Sequence, residues 1–554
     1  MINVIKRSQF RYIMFTAFLV LSLVLGGCQA INPYDVQPVD VYTAQKVSAP
    51  NCDYGGEFRS IEAVDRYTVK ITLCYPDAAL PSKLAFPAFS IQDSAYLSDK
   101  GGDSAALSLE TNGTGPYIVE EWIPGEMLKL TANADYWGVP PRSETLILRW
   151  NASSVYRRSE LLFDRTDGID RPDLNSAIFK GNPNYITYTR PALSISFLGI
   201  NRDVPPYNDS RVRMGLAMLI DRQSLVTNSF PTGAEAAEQF VPRSLKPGRS
   251  DVLRWHDFNV KEGTDLLNAA AFNYDQELFL YYTDISTSYL PSPILVAQEI
   301  QAQLADAGIR LTPVRMDDRE FNAAVDAGEL GLFLTGLSAE YPDPSNFYDP
   351  NFSAASRRYG TPYGDISAAL LNANATSDIK SRQYFYDIVN QKLKEYVLII
   401  PLAHANDSTV FQADVTNVII SPLNENFEQM STPDNHLTFM LETEPTFLWP
   451  ADETSNDTMR VARLLYTPLV NYAYGTAELA PGLAEYWESN DTLTEWTFSL
   501  RYGVTFSNGA ELDANDVVAT LSAQWNAKDP NHVGRTGSFV YFKRFFGQFI
   551  NSGK

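Results

Sequence analysis

Two kinds of hydrophobic pattern recur along the chain. From Tyr67 to Leu73 apolar and polar residues alternate, which predicts a half-buried β-strand. From Ala192 to Asp203 an apolar run breaks into a polar turn, and after Asp209, a suitable N-cap, the apolar residues return at helical spacing. A helical pattern from Pro293 stops near Gly308 and a β run follows. Helix followed by strand is typical of an α/β unit in a largely parallel sheet.

The first residues predict export. Basic residues precede an apolar run from Tyr12 to Leu25, which is too short for a membrane-spanning helix and fits a signal peptide over residues 1–27. The run ends in Leu25-Gly26-Gly27-Cys28, which resembles a lipobox, so we expect Cys28 to be the lipidated mature N-terminus. The alternative is a plain secretory signal that contains a cysteine. Residues 28–50, with scattered prolines, are predicted to form an extended tether.

The other two cysteines leave two readings open. Cys52 and Cys74 could form a disulfide, which an exported protein allows and which would stabilise the fold by roughly 3 kcal/mol in the chain-entropy model. They could equally be two unpaired buried thiols.

Composition narrows the class of protein. A chain of 554 residues, 45% hydrophobic and 20% charged, is long enough for two or three domains of a soluble globular protein. Its net charge of −22 argues against a nucleic-acid partner. No Gly-x-Ser-x-Gly or P-loop motif is present, and the four histidines lack ligand spacing, so we predict no catalytic residues, no metal and no other cofactor.

Five blocks of sequence resemble one family. The far end, from His436 to Asp516, is similar to the opening of extracellular solute-binding proteins of the oligopeptide and dipeptide-binding class. Blocks that follow later in that family come earlier here: NGTGPYIVEEW from Asn112, the strand and helix after Ala192, GLSAEYPDP from Gly336, and VLIIPLAH from Val397. Each block occurs once. The resemblance therefore implies a circularly permuted chain, with the polar run from Asn424 to His436 joining the family's old ends.

The resemblance implies an α/β fold of the two-lobed periplasmic-binding-protein type II class, permuted, with an extra subdomain in the first lobe. Lobe one would comprise residues 51–198 and 400–554, with the family's N-terminal segment at 434–554, and lobe two residues 199–399. Two hinge strands near Ile200 and Leu398 would join them. The segment from 436 should then share a sheet with residues 115–130, and residues 514–549 should pack against 58–89. The alternative is an appended fragment that folds by itself.

The same resemblance suggests ligand-binding residues. Glu340 stands where the family usually has Asp, and Leu337 where it usually has Trp. In peptide-binding relatives the carboxylate at this position pairs with the ligand's ammonium group, so we expect Glu340, with Tyr341 and Asp343 beside it, to line the site. The alternative for Glu340 is a cap of a surface turn. Glu444 and Thr446 are expected to face the cleft from the other lobe.

The implied function is capture and delivery without covalent chemistry. A monomeric, lipid-anchored, extracytoplasmic binding protein would close on a peptide or similar small solute by a hinge motion, then dock on an ABC permease with its ATPase subunits. Two alternatives stay open: a secreted hydrolase that uses carboxylates, and a ligand-binding sensor that is not coupled to transport.

Overall fold

The computed structural model describes residues 42–172, 178–191, 193–231 and 233–552. The predicted signal peptide, Cys28 and most of the predicted tether lie outside these described residues. From Ala44 onward the chain forms one compact unit. Within that unit three large sheets carry the architecture.

The first sheet combines strands from both ends of the chain. In spatial order its five strands are β1 (Lys46–Ser48), β2 (Phe58–Asp65), β3 (Thr68–Leu73), β20 (Glu495–Leu500) and β19 (Ala484–Ser489). The alternation noted from Tyr67 is confirmed, because Val69, Ile71 and Leu73 of β3 are buried and the residues between them are not. Strand β20 runs antiparallel to β3, with Glu495 opposite Thr72.

The second sheet also mixes distant segments. Its seven strands in spatial order are β4 (Tyr117–Ile123), β5 (Met127–Ala132), β6 (Thr145–Trp150), β16 (His436–Leu441), β7 (Gly168–Asp170), β15 (Asp407–Gln412) and β8 (Tyr185–Arg190). Strand β16 lies at the centre, parallel to β6 and β7, with Leu437 and Phe439 fully buried. Residues after 436 therefore do not form a separate domain. Strands β17 (Val470–Tyr472) and β18 (Leu479–Pro481) form a small hairpin.

The third sheet uses one continuous stretch of chain. Its six strands in spatial order are β10 (Glu235–Ala236), β14 (Ile399–His404), β9 (Ser194–Ile200), β13 (Leu332–Ser338), β11 (Glu277–Tyr282) and β12 (Arg310–Arg315). Strand β11 is parallel to β12 and β13, whereas β9 is antiparallel to both of its neighbours. The sheet is thus mixed, and only its β11 side has the parallel arrangement that the helix-strand order indicates.

Helices cover the sheets in both lobes. Those of lobe one are α1 (Leu80–Leu84), α2 (Ser94–Lys100), α3 (Ser104–Leu109), α4 (Ser154–Leu162), α13 (Asn456–Leu465), α14 (Ala514–Trp525) and α15 (Val540–Phe546); those of lobe two are α5 (Ser210–Leu219), α6 (Arg222–Ser229), α7 (Val260–Ala269), α8 (Pro293–Asp306), α9 (Asp318–Ala327), α10 (Pro344–Phe352), α11 (Gly364–Asn374) and α12 (Ile379–Tyr396). Asp209 caps α5 as predicted, by accepting from the Arg211 amide. Gly308 follows α8 with a φ of 80°, which suits the residue after a helix C-cap.

The sheet to which each strand belongs locates the boundary between the lobes. Strands β9 and β14 lie wholly in the six-stranded sheet, because β9 bonds to β13 along its full length. The chain therefore passes between the lobes just before Ser194 and just after His404. The boundaries expected at residues 199 and 399 fall inside or at the start of these strands, several residues away from the connections.

An early and a late segment of the described chain pack together in lobe one. The Glu57 amide donates to the Phe546 carbonyl at 2.7 Å, and the Phe58 ring stacks on that of Phe546 with centroids 4.5 Å apart. Phe58 also contacts Trp525 of α14 edge to face, at 5.7 Å between centroids. Beside this cluster a disulfide joins Cys52 to Cys74.

Candidate ligand site between the lobes

A cavity of about 860 Å³ lies between the two lobes. Its lobe-one wall comes from the carboxyl end of β16, from helices α13 and α15, and from the segments around Arg171 and Arg190. Its lobe-two wall comes from the end of β13 with the loop after it, from the loop at residues 283–289, and from α9. Both walls are therefore built at element ends, which is where ligand sites of α/β folds commonly lie.

An ion network stabilises the lobe-one wall. Arg460 of α13 donates to Asp170 at 2.6 Å, to Glu425 at 2.7 Å and to Asp457 at 3.0 Å. Burial raises the pKa of Asp170, but the guanidinium groups around it, Arg460 above all, outweigh this effect and hold the pKa at about 2. This carboxylate is therefore ionised at neutral pH.

Two further arginines extend the network along the wall. Arg171 donates to Asp407 at 2.9 Å and to Glu442 at 2.5 Å. Arg190 donates to Glu425 and lies 3.5 Å from Asp407. Since these side chains are fixed by several partners each, the wall is rigid and its charges are largely paired internally.

One ion pair crosses from lobe to lobe. Arg544 of α15 donates to the Glu340 carboxylate of lobe two. Next to it the Tyr341 ring packs edge to face on Phe545, with centroids 4.9 Å apart. Elsewhere on the interface the Ala78 amide donates to the Asn374 carbonyl at 3.0 Å. We call the first two contacts, Glu340 with Arg544 and Tyr341 with Phe545, the interlobe clasp.

Of the residues suggested near Glu340, only Glu340 itself lines the cavity. Tyr341 is buried against Phe545, and its hydroxyl bonds to Ser345 at 3.2 Å. Asp343 is also buried: it caps α10, and both of its oxygens accept from Arg382 at 2.9 Å. Asp343 therefore stabilises the loop and does not line the cavity. Asp followed by Pro344 at the first helical position is a cap signal in the sequence itself.

On the other lobe, Glu442 and Thr443 line the cavity, two positions before Glu444 and three before Thr446. Glu444 instead accepts from the Gly125 amide at 2.9 Å, and the Thr446 amide donates to Thr458 at 2.9 Å. The chain leaves the cavity early because Asp457 accepts from both the amide and the hydroxyl of Thr443, at 2.8 and 2.7 Å.

Sequence reasoning missed the arginines of the wall. Arg460 and Arg463 lie three residues apart on α13, a helix whose other inward residues are mostly apolar, and both line the cavity. Two cations on the buried side of an amphipathic helix are an unusual pattern, and this pattern was the available signal.

Among residues 42–172, 178–191, 193–231 and 233–552, no group of three or more His, Cys, Asp and Glu side chains could hold a metal ion. Within the same ranges, each helix is too short or too polar to cross a lipid bilayer.

Comparison with known proteins identifies the family. The sequence model described as bacterial extracellular solute-binding proteins, family 5 middle, matches residues 34–358 and 478–540, which together exceed half of the chain. The chain belongs to this family. The match in two separate stretches leaves out a segment that includes β14, β15 and β16.

Relatives of this family 5 protein align with it over about two thirds of their own lengths. The peptide transport periplasmic protein SapA of Salmonella typhimurium is 25% identical over 377 residues, which are 67% of this chain and 68% of that protein. The dipeptide-binding protein of Escherichia coli is 23% identical over 383 residues, 67% of this chain and 71% of that protein. Both proteins are named for peptide transport or peptide binding.

Solved structures agree on the fold. HbpA2 of Haemophilus parasuis superposes with a TM-score of 0.63 at 26% identity, covering 68% of this chain and 76% of that one. The periplasmic binding protein DppA of Helicobacter pylori, solved with the peptide STSA, gives a TM-score of 0.56 at 22% identity, with 68% and 74% covered, which bears on the fold alone. The predicted two-lobed fold of periplasmic-binding-protein type II is confirmed.

Proposed function

We propose that this family 5 protein captures a peptide or a similar zwitterionic solute between its lobes and delivers it to an ABC importer. The cavity supports this proposal by its size, because about 860 Å³ is within the range of small-molecule sites. Charge supports it too: the described lining residues include six carboxylates and six guanidinium groups, a balance that suits a ligand carrying both charges. The lining carboxylates are Asp170, Asp318, Glu340, Asp407, Glu442 and Asp457, and the arginines are Arg171, Arg190, Arg358, Arg460, Arg463 and Arg544.

The proposed mechanism is hinge closure. The chain connects the lobes beside Ser194 and His404, and two such short connections allow one lobe to rotate against the other. A ligand that contacts both walls favours the closed form, because it gains contacts there that the open form lacks. The closed form would then dock on the permease. In this mechanism the protein makes and breaks no covalent bond.

The proposed location is the outer face of a membrane, with Cys28 as the lipid anchor and the protein as a monomer. Labelling with a fatty-acid probe should mark the protein, and Cys28→Ser should release it into the soluble fraction. Unchanged membrane association of that variant would contradict the anchor.

We also propose that the chain is a circular permutation of the family's order. The central place of β16 in the seven-stranded sheet supports it, as do the pairing of β20 with β3 and the contact of Phe58 with Phe546. Lobe one would then contain residues 44–191 and 405–552, and lobe two the residues between.

Calorimetry tests the function. Ala-Ala-Ala and a small panel of other tripeptides should bind the purified protein without being cleaved. Ser338→Trp places a large side chain in the cavity and should abolish binding, whereas the matched control Ser338→Ala should bind as the parent does. Hydrolysis of the peptides would support the secreted-hydrolase alternative. A parent protein that binds none of the peptides would overturn the proposal.

A further inference from the structure

Arg463 differs from the other arginines of the cavity. Each of the other five described lining arginines has a carboxylate within 4.0 Å: on lobe one Arg171, Arg190, Arg460 and Arg544, and on lobe two Arg358 with Asp326. Arg463 has no carboxylate at that distance among the residues that the structure describes. Among the described arginines that line the cavity, Arg463 is therefore the one whose charge has no carboxylate partner in the part of the protein that the structure describes.

The surroundings of Arg463 act on its charge in opposite directions. Arg463 lies in the last turn of α13, where the helix dipole favours a positive charge. Its guanidinium group lies over the Tyr472 ring, 5.5 Å from the centroid. Burial lowers the pKa of Arg463, and the charges of Tyr472 and Glu428 oppose this effect.

A small polar side pocket adjoins the cavity at this point. It has a volume of about 50 Å³, and Arg460 and Arg463 line both it and the main cavity. Asn426 also lines the side pocket and is only 7% exposed, yet its Oδ1 accepts no hydrogen bond from any described residue. A buried acceptor without a donor is costly, and a ligand N–H placed here would remove that cost.

We propose that Arg463 binds a carboxylate group of the ligand, with the side pocket holding the polar atoms next to it. This inference rests on the proposed function and specifies which end of a zwitterionic ligand lobe one receives. A carboxylate would give the Arg463 guanidinium the charged partner that it lacks. The guanidinium can donate two parallel hydrogen bonds to the two oxygens of such a group.

The charges nearby favour a singly charged group. Glu425 and Glu428 both line the side pocket, so a phosphate dianion would meet more repulsion there than a carboxylate. The Asn426 acceptor requires an N–H donor close to the anion. A peptide's last residue carries a carboxylate and an amide N–H together, and an acidic side chain near a backbone amide offers the same two groups.

The test compares three peptides by calorimetry: Ala-Ala-Ala, its C-terminal amide, and Ala-Glu-Ala amide. The parent protein should bind the free acid at least roughly tenfold more tightly than the amide if the C-terminal carboxylate is recognised. Recovery of binding by the amide that contains Glu would instead identify a side-chain carboxylate as the source. Equal binding of all three peptides would overturn the inference.

Variants test the residue itself. Arg463→Gln should weaken binding of the recognised carboxylate peptide at least roughly tenfold and leave the uncharged amide unchanged. Arg165→Gln removes an exposed lobe-one arginine that pairs with Glu160 outside the cavity, and this matched control should leave binding unchanged. If Arg463→Gln does not fold, Arg463→Lys replaces it. Lysine keeps the positive charge but cannot form two parallel hydrogen bonds to a carboxylate, so this variant should show a smaller loss of affinity for the same peptide.

The outcomes separate the two proposals. A parent protein that binds no peptide refutes the proposed function, and the inference with it. A parent that binds peptides, together with an Arg463→Gln variant that binds the carboxylate peptide equally tightly, refutes the inference alone.

Discussion

The clasp between Glu340 and Arg544 yields a prediction with a definite sign. We expect Glu340→Gln and Arg544→Gln to weaken peptide binding by small and similar factors, because each removes the same bond between the lobes. The double variant should be no weaker than either single one, since the bond can be lost only once.

The size of the effect follows from exposure. The Arg544 side chain is 49% exposed and that of Glu340 20%, so water screens the pair substantially. An ion pair of this kind contributes about 1 kcal/mol or less. Each single variant should therefore shift the ratio of closed to open forms by at most about fivefold.

The assay is a double-variant cycle with one peptide, measured by calorimetry. In parallel, fluorescence energy transfer between dyes on the two lobes reports the closed fraction. If Glu340 instead binds the ligand's ammonium group, its replacement by Gln should cost about 1.5 to 3 kcal/mol. Arg544→Gln should then strengthen binding, because it frees the carboxylate for the ligand. Opposite signs for the two single variants would refute the clasp.

Three other changes probe the fold. Phe439→Ala empties the centre of lobe one and should lower the free energy of unfolding by about 3 to 5 kcal/mol in urea; a loss near zero would contradict the burial of β16. Replacing Cys52 and Cys74 by Ser opens a loop of 22 residues and should cost about 3 kcal/mol, with the reduced parent as control; an unchanged melting temperature would count against it. Burial raises the pKa of Asp349 from 3.8 to about 7, although Asn374 donates to it and opposes the shift. Since the folded state holds this proton more tightly, stability falls as pH rises from about 4 to 7, so Asp349→Asn should raise the melting temperature more at pH 8 than at pH 5, and equal gains would contradict this.

Local pattern predicts local structure well in this chain. Alternation at Val69 and Ile71 fixes both the strand and its buried face, and the Asp209 cap fixes the start of α5. The pattern does not indicate which strands lie next to each other in a sheet. That β3 pairs with β20, so that Thr72 lies opposite Glu495, could be inferred only from the family resemblance, because side-chain alternation is the same whichever strand lies alongside.

The site was less predictable for a similar reason. The resemblance led to Glu340, which does line the cavity, but the Arg544 that pairs with it lies on a distant helix. Glu444 and Thr446 were expected at the cavity, but Glu442 and Thr443 line it, because Thr443 donates two hydrogen bonds to Asp457 in the turn after β16. Charge pairing across distant segments is a tertiary property, and spacing along the chain does not encode it.

The arrangement of the sheets has a consequence for the order of folding. All six strands of the lobe-two sheet come from residues 194–404, so that lobe can complete its sheet as soon as this stretch has left the ribosome. Lobe one cannot, since β2 and β3 emerge early but wait for β20, and the seven-stranded sheet waits for β16. During that interval the edges of β3 and β6 are unpaired and open to wrong partners. Closing such long loops is slow, so lobe one, although it begins first, should be the last part of the molecule to fold and the part most dependent on chaperones.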